Sequence, residues 1–244
     1  MSTFKHPLTA TTSLDANLIT LIASRSYYRT SSKVQELLLL SKNEQTFSGI
    51  LAQELTENPA LQLDGSSNTN AGLVLLELKG KDYLKRNANG LEKASRNFHD
   101  LTIVNNDAEI EVIIENKVWY HFDGAKGAVR AKPEPGIARQ IKADIKKIKQ
   151  TLDGSTSIRR GFILLNIVTP SNTALIPASY RREHEKVWDR CMHSQPLYRE
   201  EGLTGIRKVL GSFDADLRSI EIESFTNSES GGYIDFICAE VNLD

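Results

Sequence analysis

Residues 99–117, which read HDLTIVNNDAEIEVIIENK, constrain the fold of this chain more than any other segment. A short apolar strand at 101–104 is followed by a turn at 105–107. Residues 109–119 then alternate between apolar and charged types with the period of a β-strand. The segment predicts a β-hairpin in which Glu115 and Lys117, two residues apart, lie on one face. Asp100 opens the first strand and is expected to lie against this pair.

The charged side chains of this hairpin are the types that phosphodiester hydrolysis requires. The reaction needs an activated water and stabilisation of negative charge on the phosphate, and a divalent metal ion can supply both. Asp100 and Glu115 offer the oxygen ligands that Mg²⁺ prefers. Lys117 could orient the water or stabilise charge in the transition state. The same alternation is also typical of a solvated outer face with cross-strand ion pairs, so the hairpin alone leaves both interpretations open.

The other segments predict a mixed α/β domain, because helices and strands follow one another along the chain. Residues 1–40 are expected to form an N-terminal arm or helix, and 41–244 a single domain. The segment 73–78 fits a strand or a helix, whereas 64–72 and the glycine- and proline-containing 121–136 predict loops. Further helices and strands are expected, in chain order, at 41–58, 137–152, 160–168, 180–193, 203–213, 219–225 and 233–241.

Composition narrows the class of protein. Of the 244 residues, 40% are hydrophobic and 25% are charged, as in an ordinary globular protein. The formal net charge is -1, so a nucleic-acid site would have to be a local basic surface. Cys191 and Cys238 form no CxxC pair, which argues against zinc and against a disulfide framework. No apolar run of membrane-spanning length and no signal-peptide pattern occurs, so a cytoplasmic protein without membrane attachment is expected.

The residues of the hairpin and of the helix after it resemble the PD-(D/E)xK nuclease superfamily. That family has an acid at the start of one core strand, an apolar strand ending in acid–x–Lys, and a helix that often carries Gln. The matching residues are Asp100, Glu115, Lys117 and Gln140. The position before Asp100 holds His99, where the family pattern has Pro.

An upstream helix adds to the resemblance. Glu44, in the segment EQTFSGIL, is similar to the helical Glu of a branch with uncharacterised or defence-associated members. The similarity covers approximately residues 41–168, and the helices and strands of 169–244 match no pattern of the family. It implies a restriction-endonuclease-like core, with a central mixed β-sheet flanked by helices.

The resemblance also implies a function, a Mg²⁺-dependent DNA endonuclease in restriction or phage defence, with Mn²⁺ able to substitute. Asp100, Glu115 and Glu44 would bind the metal. Lys117 would act on the water or on the developing charge, supported by Gln140. DNA is the implied partner, and cleavage of both strands by one site per chain would favour a homodimer.

Several alternatives stay open from the sequence. The chain could be a catalytically inactive DNA-binding or interaction protein on a nuclease-like fold. Glu44 could merely close a capping box with Ser41, and Glu54, which lies within the apolar stripe of the same helix, competes with it as the upstream acid. Gln140 could simply be a solvated helix residue. A basic stretch could track a phosphate backbone or be a solvated face; it comprises Arg130, Lys132, Arg139, Lys142, Lys146, Lys147 and Lys149.

Overall fold

The computed structural model describes residues 14–40, 44–57, 73–79, 98–104, 110–128, 133–152, 159–169, 195–226 and 232–243. Ser41, Arg130, Lys132 and the segments predicted as a loop at 64–72 and as a helix at 180–193 lie outside them. The described chain forms one six-stranded mixed sheet with helices on both faces, an α/β fold. The strands, numbered along the chain, are β1 (Leu73–Lys79), β2 (Phe98–Val104), β3 (Ile110–Tyr120), β4 (Arg160–Thr169), β5 (Leu217–Thr226) and β6 (Tyr233–Val241).

The strand order in the sheet is β1-β2-β3-β4-β6-β5. β3 and β4 run parallel, and every other neighbouring pair is antiparallel. A parallel pair needs a crossover connection, and here two helices supply it. The described helices, in chain order, are α1 (Ala16–Arg29), α2 (Ser32–Leu40), α3 (Glu44–Glu57), α4 (His121–Ala128), α5 (Pro135–Leu152) and α6 (Gln195–Gly211).

Two hydrophobic cores enclose the sheet. α1 and α3 pack over one face, with Tyr27, Leu51 and Phe162 among the buried residues. α5 and α6 cover the other face, where Ile141 and Ile206 are fully buried. A strand covered on both faces loses the simple alternation of buried and exposed residues, so both faces of β3 are largely buried. The interpretation of its charged face as a solvated outer surface is therefore wrong.

Helix α1 is part of the main core. Its N-cap residue, Asp15, accepts a hydrogen bond of 2.7 Å from the backbone N–H of Leu18, which satisfies one of the free donors at a helix start. Ile19 and Ile22 are buried in the same cluster as the strand residues Ile114 and Leu164. The N-terminal helix thus stabilises the sheet that carries the candidate site.

The prediction of a loop over 121–136 is wrong for its first half, which forms α4. The glycines there allow close helix packing. A Cβ atom on Gly124 would overlap the carbonyl oxygen of Gly202 in α6, and one on Gly202 would come within 2.5 Å of the His121 oxygen. The expected helices and strands at 137–152, 160–168 and 233–241 are confirmed, and 73–79 is a strand.

No helix in the described ranges is both long enough and apolar enough to cross a membrane.

Candidate active site

A divergence of two strands creates the candidate site. The pairing of β2 with β3 runs from Val104 back to Leu101, opposite Ile114, and ends there. β2 continues beside β1 as far as Phe98. Where the ladder to β3 stops, the Asp100 carboxylate accepts a hydrogen bond of 2.8 Å from the Asn116 backbone N–H. A side chain thus replaces a backbone partner at the point where the two strands separate.

Lys117 lies at the centre of this opening. Its Nζ is 3.4 Å from Asp100 Oδ2 and 3.7 Å from Glu44 Oε2. The same nitrogen is 3.7 Å from Oδ2 of Asp144 and donates a 2.9 Å hydrogen bond to the Asn116 carbonyl. β2, α3 and α5 therefore each place one carboxylate beside one lysine, whose side chain is only 14% exposed.

Glu115 lies deeper than Lys117 and is fully buried. Its Oε1 is 2.6 Å from His99 Nδ1, and its Oε2 accepts a hydrogen bond from Lys147. His99 is itself buried, with Nε2 2.9 Å from the Thr151 hydroxyl. A buried carboxylate is costly unless it is paired, and here a histidine from β2 and a lysine from α5 pair with it. His99, the residue before Asp100, is thus a hydrogen-bond partner of Glu115.

Asp144 is the acidic residue of the site that the sequence analysis missed. Its side chain is 9% exposed, and its Oδ2 has no hydrogen-bond partner within the described chain. A polar stripe at helical spacing could have indicated Asp144 from the sequence. This stripe lies beside the isoleucine stripe of α5 and comprises Gln140, Asp144, Lys147 and Thr151. Three of these four side chains contact the site residues.

Asn116 joins the elements of the site. Its amide donates to Ser48 Oγ at 2.9 Å and to the Glu44 carbonyl at 3.3 Å, which fixes the first turn of α3 against β3. Asn166 of β4 donates to the Asn116 side-chain oxygen and to the Lys117 carbonyl. The middle residue of the Glu–Asn–Lys triplet thus has a structural role.

The charges of the cluster shift two pKa values. Burial raises the pKa of Asp144 to about 6, although Lys117 opposes the rise. Burial would lower the pKa of Lys117, but Asp144, Asp100 and Glu44 outweigh it and hold this pKa well above its usual range. Lys117 is therefore held protonated near neutral pH by these carboxylates, which suits charge stabilisation.

A cleft opens beside the cluster with a volume of about 380 Å³. Glu44, Gln45, Ser48, Leu76 and Asp100 line it. The volume lies in the range of small-ligand pockets. Asp100 and Glu44 are 29% and 41% exposed, so their carboxylates are accessible to a ligand in the cleft.

The structure separates the two candidate upstream acids. Glu44 begins α3 and lies beside Lys117. Glu54 lies ten residues after Glu44, about 15 Å further along α3. It forms an ion pair of 2.9 Å with Arg29 of α1. Gln140 is exposed on α5, one turn before Asp144, and its side chain takes part in no hydrogen bond among the described residues. Asp100, Glu115, Lys117 and Glu44 are thus brought together, whereas no hydrogen bond links the Gln140 side chain to them.

The side chains of the site can be compared with the ligands that Mg²⁺ prefers. Carboxylate oxygens are its preferred ligands, and the buried Oδ2 of Asp144 lacks a hydrogen-bond partner among the described residues. In that part of the chain no three His, Cys, Asp or Glu side chains are set to hold a metal ion. The Lys117 ammonium stands among the carboxylates instead. The donor set fits Mg²⁺ in its chemistry, and binding requires Lys117 to share those carboxylates.

No family model, no curated protein and no solved structure matches this chain.

Proposed function

We propose that this protein is a Mg²⁺-dependent endonuclease that hydrolyses phosphodiester bonds in DNA. One observation carries the proposal: Lys117 is surrounded by the carboxylates of Asp100, Glu44 and Asp144 at the edge of an open cleft. Two helices and two strands converge to build this cluster, although unpaired burial of charge is costly. Such an arrangement is more typical of a functional site than of a structural ion pair.

The order of elements also supports the proposal. A helix, three antiparallel strands, a crossover helix and a parallel strand follow each other as α3, β1–β3, α5 and β4. The acid–x–Lys triplet lies within β3, and the first acid lies where β2 leaves β3. This placement is compatible with the restriction-endonuclease-like core that the sequence resemblance implies.

The chain's own residues divide the chemistry between them. Asp100 and Glu44 reach the cleft and would hold the ion together with Glu115, which would exchange its contact with Lys147 for the metal. The ion, when bound, would supply Lewis-acid activation of water and charge neutralisation. Lys117, held protonated by its carboxylates, would stabilise negative charge that develops on the phosphate. Asn116 would keep these groups in place by fixing α3 to β3.

A basic stripe on α5 fits DNA as the substrate. Arg139, Lys142 and Lys146 are exposed and spaced along one side of the helix over about 10 Å. Lys147 and Lys149 are occupied, since they pair with Glu115 and Asp216. The exposed stripe lies on the same helix as Asp144, so it could hold a phosphate backbone beside the cleft. We place the activity in the cytoplasm, in restriction or phage defence, with a homodimer for double-strand cleavage.

The proposal predicts metal-dependent cleavage of DNA that is lost with Lys117. Supercoiled and linear DNA are incubated with Mg²⁺ or Mn²⁺ and the products are followed on gels. The wild type should nick or linearise DNA, chelator should abolish this, and Lys117→Ala should lower the rate by about 10²-fold or more. Lys149→Ala is the matched control, because Lys149 lies on α5 outside the cluster. Equal rates for the wild type and Lys117→Ala would refute the role of this lysine.

A catalytically inactive DNA-binding protein is the second candidate. The observation that favours it is the pairing of both Glu115 oxygens, with His99 and with Lys147. An inactive protein of this kind would bind DNA in the presence of chelator and would leave it intact with either metal. Binding and cleavage measured on the same preparation separate the two candidates.

A further inference from the structure

The cluster around Lys117 contains more negative charge than positive charge. Its carboxylates are those of Glu44, Asp100, Glu115 and Asp144, and its ammonium groups are those of Lys117 and Lys147. Two negative charges stay uncompensated if His99 is neutral, and one stays if it is protonated. Because the cluster is largely buried, solvent screens this charge poorly. A bound divalent cation would compensate it.

Asp144 is the unexplained member of this cluster. Its side chain is more than nine-tenths buried, and its Oδ2 is buried without a hydrogen-bond partner in the described ranges. That oxygen is directed at Lys117 Nζ, 3.7 Å away. Buried polar atoms are almost always hydrogen-bonded, whereas this carboxylate oxygen keeps a lone pair available as a donor to a cation.

Glu115 is less available to a cation than Asp144. Both of its oxygens are already paired, and its side chain is inaccessible to solvent. Oδ2 of Asp144 has an ion pair with the same ammonium as Asp100 and Glu44 but has no hydrogen-bond partner among the described residues. Those two carboxylates lie at the cleft. Asp144 therefore adds a third carboxylate, from α5, to those that α3 and β2 place around Lys117 Nζ.

We propose that Asp144 is a further metal ligand, which together with Asp100 and Glu44 forms a divalent-cation site at the position now shared with the Lys117 ammonium. The flexible four-carbon stem of lysine lets the ammonium move aside within the cluster and share the carboxylates with the cation. Hard oxygen donors select Mg²⁺ or Mn²⁺ over softer metals. The inference rests on the proposed function, because the cation would serve DNA cleavage, but its test needs no DNA.

The experiment measures binding of Mn²⁺ alone to the full chain, from the loss of the free-ion electron paramagnetic resonance signal. The wild type is compared with Asp144→Asn, which preserves shape and removes charge. Asp216→Asn is the matched control, because this exposed acid pairs with Lys149 outside the cluster. Asp144→Asn should weaken Mn²⁺ binding at least about tenfold, as expected when a metal ligand is removed. Asp216→Asn should bind like the wild type.

Three outcomes would overturn the inference. Asp144→Asn could bind Mn²⁺ like the wild type while Asp100→Asn loses it, or Asp216→Asn could weaken binding as much as Asp144→Asn. The wild type could also bind no Mn²⁺ at millimolar concentration. Cleavage assays on the same samples keep the two proposals apart: binding that depends on Asp144, without cleavage of any DNA, would refute the nuclease and leave the cation site established.

Discussion

Asp144 costs this protein stability at neutral pH. Burial raises its pKa to about 6, from an ordinary value of 3.8. The folded state therefore holds a proton on Asp144 more tightly than the unfolded state. The resulting stabilisation is complete below pH 3.8 and is lost as the pH rises through 6. A buried acid that weakens the fold at working pH is expected where function requires its charge.

The raised pKa of Asp144 predicts how Asp144→Asn changes the free energy of unfolding. Asparagine resembles the protonated acid, so the variant should be more stable than the wild type at pH 7, by about 3 kcal/mol. The gain should shrink between pH 6 and pH 4. Urea unfolding with chelator present, at a series of pH values, measures the difference. A constant difference across that range would contradict the assigned pKa.

At the scale of single residues, sequence patterns predicted part of the candidate site. Asp100, Glu115 and Lys117 follow from strand alternation within one hairpin, because they lie close together in sequence. Asp144, Lys147 and Thr151 come from a distant helix, and their role depends on how α5 packs on the sheet. His99 was noted only as a departure from the family pattern. Its contact with Glu115 required the structure.

At the scale of elements, α5 presents two polar stripes with different tasks. One stripe carries Asp144 and Lys147 into the site. The other carries Arg139, Lys142 and Lys146 and is exposed. Salt dependence distinguishes a stripe that binds phosphates from one that is only solvated, because each neutralised phosphate releases counterions.

We expect replacement of these three basic residues by Ala to weaken DNA binding and to flatten its dependence on salt. The slope of log K against log salt should fall by about 0.9 for each phosphate that the variant no longer neutralises. Affinity is measured at several salt concentrations with chelator present. Arg25→Ala is the control, because Arg25 is exposed on α1, across the sheet. A slope equal to that of the wild type would show that the stripe is only solvated.

The close packing of α4 on α6 explains why the sequence patterns missed α4. Glycine is normally a signal for a turn, but Gly124 and Gly202 let these two helices approach closely. Gly124→Ala should therefore destabilise the protein by about 1–3 kcal/mol through overpacking. Gly49→Ala is the opposite case, because a Cβ there meets no atom within 4 Å. It should stabilise α3 by about 0.5–1 kcal/mol.

Thermal or urea unfolding of the two glycine variants tests this account. Each variant serves as the control for the other, because Gly→Ala should lower the free energy of unfolding in α4 and raise it in α3. Loss of stability in both variants, or in neither, would contradict the packing described for α4 and α6.

At the scale of the whole molecule, a second buried network lies just beyond the C-terminal end of β3, four residues after Lys117. His121, which follows β3, is 2.7 Å from Asp235 of β6, and Arg199 of α6 donates to the same carboxylate. Burial alone would raise the pKa of Asp235, but hydrogen bonds from Arg199 and His121 hold it below its usual range. The network thereby joins α4, α6 and β6 next to the strand that carries Glu115 and Lys117.

The fold as a whole was predictable in type and less so in detail. Alternation and helical spacing predicted a mixed α/β domain, because those patterns arise from burial within single elements. The separation of β2 from β3 could not be predicted, since it depends on the Asp100 side chain replacing a backbone partner. That separation opens the cleft and lets α3 and α5 reach Lys117 from opposite faces of the sheet.

The most direct test of the central claim is the rate of plasmid nicking by Asp100→Asn, with its DNA affinity measured on the same sample. If Asp100 serves the chemistry, the Mg²⁺-dependent rate should fall by about 10²-fold or more while affinity stays near that of the wild type. Nicking by Asp100→Asn at the wild-type rate would contradict the account. So would a folded wild type that cleaves no DNA with Mg²⁺ or Mn²⁺.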